Sequence, residues 1–315
     1  MFENNSCHVT LAVQMSAKSD GPVFVRQASN REGEDLTPDE LSRLHAIKDL
    51  KSAKLTLYQF DARYVRASGS VCGMHCTLSH LAHVSVDAFC YCSPPCWKVR
   101  ALLNYYGIPY ESVTAYPGSK IEGLDNTYTK IPKLVVNEVQ INDSAVVYRS
   151  LARVLTGSPL TATQIELESR NNITGLLGAL EKESFGSYMG IVGAVKAVTA
   201  ANKSWSYAVF KPVLPYLAGL AFPLPKMVLG RSTPHGKDGT SLEHGAVYRA
   251  ALGEQKYFHG EAIGPVDLSL YGTFKCFGYF NSPPAAAVLK ECGLKEWYER
   301  CDAAVNAVKP IEVSM

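Results

Sequence analysis

A chain of 315 residues is long enough for two modest domains, and hydrophobic and charged fractions of 47% and 19% exclude a disordered polypeptide. A formal net charge of +2 gives no electrostatic reason to expect a nucleic-acid partner. The nine cysteines fall at irregular spacings and the chain reads as lacking a secretory leader, so thiols in a reducing, cytoplasmic setting are expected rather than a disulfide framework.

In chain order, residues 1–34 show no sustained period and read as a flexible tail. Thr37-Pro38-Asp39-Glu40 is a helix start, with Thr as N-cap and Pro at the first position, and Leu41, Leu44, Ile47 and Leu50 give that helix one apolar stripe. Lys54 to Phe60 alternates and is rich in β-formers, which predicts a strand over 55–60. Residues 61–92 then separate this strand from the next helix by roughly 30 positions, where such connections usually take about 2–6. Cys72, His75, Cys76, His80, His83, Cys90 and Cys92 lie here, but their spacing is too irregular for the paired knuckles of a structural zinc site. The segment reads as an insertion foreign to the fold around it.

Ser93-Pro94-Pro95-Cys96 opens a helix over 95–106. Val99, Leu102 and Leu103 form its apolar face, and Lys98 and Arg100 are expected to point outward. A helix start gathers unpaired N–H groups and partial positive charge, which stabilises a thiolate held there. A turn at Gly107-Ile108-Pro109 leads to a strand over 110–115 and so to a βαβ unit with parallel pairing. Lys130-Ile131-Pro132 leads into a strand through Val136, Gln140-Ile141 is its hairpin partner, and Asn142-Asp143-Ser144 caps a helix from Ala145 to Leu155.

The blocks LTLYQF, SPPCWKVRALLNYYGIPYESV, YTKIPKLVV, INDSAVV and YFHGEAIGPVDLSLYGTF resemble the membrane-associated prostaglandin E synthase type 2 family. The resemblance is dense over 55–60, 93–155 and 257–300 and thin over 160–250. It implies an α/β thioredoxin-like domain over 35–158, interrupted at 61–92, followed by an all-α glutathione-transferase-like domain over 159–315. It implies glutathione as cofactor, haem as a further one, a small lipid substrate, a homodimer, and contact with intracellular membranes. The implied reaction is isomerisation of prostaglandin H2 to prostaglandin E2. The alternatives are a general glutathione transferase and a catalytically silent scaffold that keeps glutathione or haem binding.

Carried onto this chain, the catalytic positions are Ser93, Cys96 and Phe60, and the glutathione-binding positions are Ile131, Pro132, Asp143 and Ser144. A cis Ile131-Pro132 bond would free the Ile131 backbone to pair with the tripeptide, and the helix start at Asp143-Ser144 would take its γ-glutamyl carboxylate. Each of these residues also suits an ordinary strand start or helix cap, and it is their joint order that points to glutathione. Two departures matter. The family carries Cys-Pro-Phe-Cys where this chain has Ser93-Pro94-Pro95-Cys96, and a tyrosine where Phe60 stands. A serine forms no disulfide but can donate a hydrogen bond to a glutathione thiolate. Cys96, inside the first turn, reads as a partly buried structural thiol.

Beyond 160 the chain reads as helical. A helix starts at Thr161, and Ile173, Leu176, Leu177 and Leu180 continue one apolar stripe. Tyr188 to Ala201 is rich in small residues. Tyr207 to Leu229 is apolar but broken by Lys211 and four prolines, which fits a buried broken helix or a peripheral membrane patch better than a span. Arg231 to Gly245 reads as a polar loop, with a helix resuming from Leu242. Gly264-Pro265-Val266-Asp267 retains half a capping box, so Asp267 is a folding residue. His259 shows no partner in sequence and defaults to a surface or packing role, and Trp297-Tyr298 are expected to close the core.

Overall fold

The β-forming alternation of Leu55–Gln59 makes β1, the central strand of a five-stranded sheet ordered β4-β3-β1-β2-β5. The structure, a computed structural model, describes residues 36, 38–47, 49–59, 93–115, 120–186, 192–193, 196, 239–307 and 312–313. β2 (Tyr110–Thr114) runs parallel to β1, with Thr56 opposite Glu111, and α2 (Pro94–Tyr105) is the helix between them. β3 (Lys133–Val136) is antiparallel to β1 and pairs with β4 (Val139–Asn142) through a hairpin. A fifth strand, β5 (Glu312–Val313), adds to the free edge of β2. Only two residues long, it carries no period from which sequence reading finds a strand.

Helix α1 (Pro38–His45) is shorter than its apolar stripe predicts. Leu50 lies past its end, yet Leu44 and Leu50 both reach the core. α3 (Ser144–Thr156) follows β4. The helical part comprises α4 (Ala162–Arg170), α5 (Leu176–Phe185), α6 (Ser241–Leu252), α7 (Pro265–Tyr279), α8 (Pro283–Glu291) and α9 (Lys295–Ala307). The stripe expected through Ile173 is broken, because residues 171–175 turn between α4 and α5 and leave Ile173 37% exposed. α6 begins one turn before the expected end of the polar loop. Thr240 and Glu243 form a full capping box there. The expectations for 1–34, 61–92, 207–229 and most of 188–201 lie outside the described residues.

The largest correction concerns α2. Lys98 and Arg100 were expected outward, and both are buried, Lys98 with 2% exposure. From Cys96 to Leu103 every residue is buried: Val99, Leu102 and Leu103 share one core with Leu55 and Leu57 of β1, and α7 packs against Trp97 and Lys98. α7 comes close because Gly272 has no side chain. A Cβ there would sit 2.8 Å from the Lys98 N and Cα and the Trp97 carbonyl oxygen. Lys98 Nζ donates to Glu168 Oε1 at 2.6 Å and to the Asn171 carbonyl at 3.1 Å, so its charge is paired within the interior.

At the start of α7, Asp267 is fully buried. Its Oδ2 accepts from the Gly264 N–H, and its Oδ1 accepts from the Phe258 N–H and from Trp297 Nε1 at 2.8 Å. Gly264 stands at the cap because the His259 ring fills the space. A Cβ would meet that ring at 2.1 Å. His259 therefore has a partner after all: its Nδ1 lies 3.0 Å from Gln164 Nε2. Gln164 Oε1 is committed to the Thr161 N–H, so its amide nitrogen faces the ring and Nδ1 is the accepting nitrogen. Burial lowers the pKa of His259.

Restoring a serine at position 264 should therefore lower stability instead of completing the capping box, by about 1–3 kcal/mol. Gly264→Ser combined with His259→Ala should recover part of that loss, as thermal denaturation of both variants checks. Burial outweighs three hydrogen bonds at Asp267 and raises its pKa to about 6, against 3.8 for a free carboxyl. Because the folded state holds this proton more tightly, the contribution of Asp267 to stability is greatest below pH 3.8 and falls as pH rises through about 6. Carbon-13 NMR of the aspartate carboxyls should show one midpoint near pH 6.

Candidate functional site

Three chain reversals meet at one end of the sheet. β1 ends at Gln59, β3 starts beside it with Tyr58 opposite Lys133, and β4 ends where Lys133 pairs with Asn142. Since α2 runs back from this end towards the start of β2, its first turn lies over the carboxyl end of β1, where α/β sheets place ligands.

Ser93 is the N-cap of α2, in an extended conformation, and its hydroxyl makes no bond to the helix. Pro94 and Pro95 occupy the next two positions and carry no N–H. The Trp97 N–H is taken by the Ser93 carbonyl at 3.0 Å. The side-chain donor this turn offers is the Ser93 hydroxyl. The Cys96 thiol is in no disulfide and is only 3% exposed, so it is buried. Phe60 lies outside the described residues.

Ile131-Pro132 is a cis peptide immediately before β3. Asp143 caps α3, its Oδ1 accepting from the Ala145 N–H at 2.8 Å, and Ser144 is the first, buried residue of that helix. Asp143 holds φ at +73°, a region costly for a residue with a side chain. The loop opposite is pinned by Gln140, whose Oε1 accepts from the Asp125 N–H and whose Nε2 donates to the Asp125 carbonyl. Lys133 Nζ donates to the same carbonyl at 3.2 Å, and burial lowers its pKa while Asp125 acts in the opposite direction.

One residue of this end escaped sequence reading. Tyr128 is 2% exposed, and its pKa is raised far above 10 by burial first and then by the neighbouring Asp143 and Cys96. Its hydroxyl stays protonated and lies between the starts of α2 and α3. The signal available was its place two residues before Lys130-Ile131-Pro132, but a tyrosine ahead of a strand is too common to single out. The zinc-type residues of 61–92 lie outside the described residues, and among the described residues no group of three metal-ligating side chains occurs.

A thioredoxin-like sheet with helices packed on it, and helix starts converging at the carboxyl end of β1, defines the class of this domain. Residues 89–154 match the family model of the glutathione S-transferase N-terminal domain. That match begins just before α2, so β1 falls outside it. Two curated relatives share part of this region. Prostaglandin E synthase 2 of Danio rerio is 39% identical over 85 residues, which is 25% of this chain and 22% of that protein. Prostaglandin E synthase 2 of Mus musculus is 39% identical over 72 residues, 21% of this chain and 19% of that protein. The chain thus matches about a fifth of the length of these relatives. Among solved structures, rice GST1 in complex with glutathione overlaps 82% of this chain and 91% of its own, at 16% identity and a TM-score of 0.40. A Ceriporiopsis subvermispora glutathione S-transferase in complex with glutathione covers 81% and 98%, at 14% identity and a TM-score of 0.43.

Burial predicts the thiol reactivity. Brief alkylation of the native protein followed by peptide mapping should leave Cys96, Cys276 and Cys301 unmodified while half-buried Cys292 reacts. Rapid labelling of Cys96 in the folded state would contradict an inward thiol.

Proposed function

We propose that this protein binds reduced glutathione at the shared end of α2, β3 and α3, and acts as a glutathione-dependent isomerase of the prostaglandin E synthase kind. The observation that carries the reading is the meeting of the Ser93 turn, Ile131-Pro132 and the Asp143-Ser144 helix start at one sheet end. The residues suit the tripeptide. The Ser144 end of α3 offers helix N–H groups to a carboxylate, and the Asp143 carboxylate complements an ammonium group. The Ile131 backbone offers hydrogen bonds to an extended peptide, and the Ser93 hydroxyl at the start of α2 faces the position of a sulfur. When bound, glutathione supplies a thiolate able to open an endoperoxide O–O bond, with the thiol regenerated because the net change is an isomerisation.

In this reading Ser93 orients the sulfur and Cys96 holds the helix start from beneath. Haem rests on the family resemblance alone, and no step is assigned to it. A small lipid substrate, a homodimer and a cytoplasmic location with contact to intracellular membranes belong to the same proposal. No helix among the described residues is long and apolar enough to cross a membrane. A general glutathione transferase is the second reading, favoured by the domain match over 89–154. A silent scaffold is the third, favoured by serine at the position of the reactive thiol.

Calorimetry should detect uptake of reduced glutathione at millimolar concentration or below. Asp143→Ala should weaken it about tenfold, and Ser93→Ala should weaken it by a similar factor while cutting turnover about 10–100-fold. Ser93→Cys should gain thiol-exchange activity. Endoperoxide isomerisation without conjugation of a model electrophile separates the first reading from the second, and uptake with neither reaction selects the scaffold. No uptake by the folded wild-type protein rejects the site.

A further inference from the structure

A buried ion pair joins α2 to the helical part within two turns of Ser93. Lys98 and Glu168 side chains are 3% and 1% exposed, with a 2.6 Å contact. Around them every polar group is engaged. Ser269 Oγ donates to Glu168 Oε1, Asn171 Nδ2 donates to Ser269 Oγ, and Thr273 Oγ1 donates to Asn171 Oδ1, each at 3.0–3.2 Å. Tyr148 donates its hydroxyl to the Lys98 carbonyl at 2.6 Å. Three helices, α3, α4 and α7, thereby hold one residue of α2.

We infer that Lys98 and Glu168 are positioning residues for the opening turn of α2, setting where the Ser93 hydroxyl stands; this inference rests on the glutathione reading above. The physical argument starts from cost. A buried pair seldom stabilises more than apolar residues of the same volume, and the use best attested for such pairs is to fix one register among several. The surrounding contacts are of the same kind. Gly272 leaves no room for the two helix backbones to slide, and Trp97, one residue before Lys98, is stacked on Tyr279 with ring centroids 5.3 Å apart. Lys98 stands five residues after Ser93, about 7.5 Å along the axis at 1.5 Å per residue. A slip of one residue would turn Ser93 by about 100° around the helix. A loosely packed apolar pair at 98 and 168 would hold the two layers together without fixing that angle.

The test compares wild type, Lys98→Met and the charge-neutral double variant Lys98→Met/Glu168→Gln. It reads melting temperature, calorimetric affinity for reduced glutathione, and the pH midpoint of the ultraviolet thiolate absorbance of the bound tripeptide. Lys98→Met should lower the melting temperature, because Glu168 is left buried without its cation. The double variant should regain most of that stability yet bind glutathione at least about tenfold more weakly, with the thiolate midpoint shifted upward. A double variant with wild-type affinity and midpoint overturns the inference and leaves the pair a structural one. If the double variant fails to fold, Lys98→Arg decides. It keeps the charge and changes the reach, so weakened binding at unchanged melting temperature supports positioning, and unchanged binding overturns it. Absence of glutathione uptake by wild type rejects the underlying site, and is distinct from all of these results.

Discussion

The constraint on which the structure turns is that α2 is covered on all sides. It is the crossover helix of the βαβ unit and also the helix against which α7 packs. From Cys96 to Leu103 the helix is buried, so a charge placed there needs an interior partner. Lys98 meets the requirement with Glu168 and the Asn171 carbonyl, and Arg100 lies over the Trp97 ring at 5.0 Å. The partners come from the helical part of the chain, some 70 positions later, which makes the sheet and the helices one interior and not two packed side by side.

That long range also explains what was legible in the sequence. The strands β1 to β4, the helix starts at Pro38, Pro94 and Ser144, and the parallel crossover follow from local signals: alternation, prolines, and Asp or Ser at caps. Lys98 and Arg100 were misread because a helical period with two cations opposite a leucine face has the pattern of a solvated surface. Only a contact partner 70 residues away reverses that reading. His259 was misread for the same reason, its partner Gln164 being 95 residues distant. Ile173 fell into the right period by chance, in a turn that the Asn172 side chain builds by accepting from the Thr174 and Gly175 N–H groups.

The candidate site was legible in its parts and not in its chemistry. The proline-started turn, Ile131-Pro132 and the Asp143 cap were each recognisable, and the hairpin register brings the last two together. Tyr128 was not, because burial decides its role and its neighbours carry no spacing. The burial of Cys96 likewise comes from tertiary packing and not from local spacing.

The two prolines sharpen what Ser93 has to do. An ordinary helix start presents about four unpaired N–H groups, and a sulfur anion placed there is held by several of them at once. Here Pro94 and Pro95 remove two, and the Trp97 N–H is spent on the Ser93 carbonyl. The side-chain donor of this turn is the Ser93 hydroxyl. A thiolate over this turn would depend on Ser93 more than it would on a proline-free helix. The hydroxyl rotates freely about its own bond, whereas an amide is fixed by the backbone. The helix beneath sets where the oxygen of such a donor stands, and that is why the packing of α2, five residues deeper at Lys98, belongs to the chemistry of the site as much as to its stability.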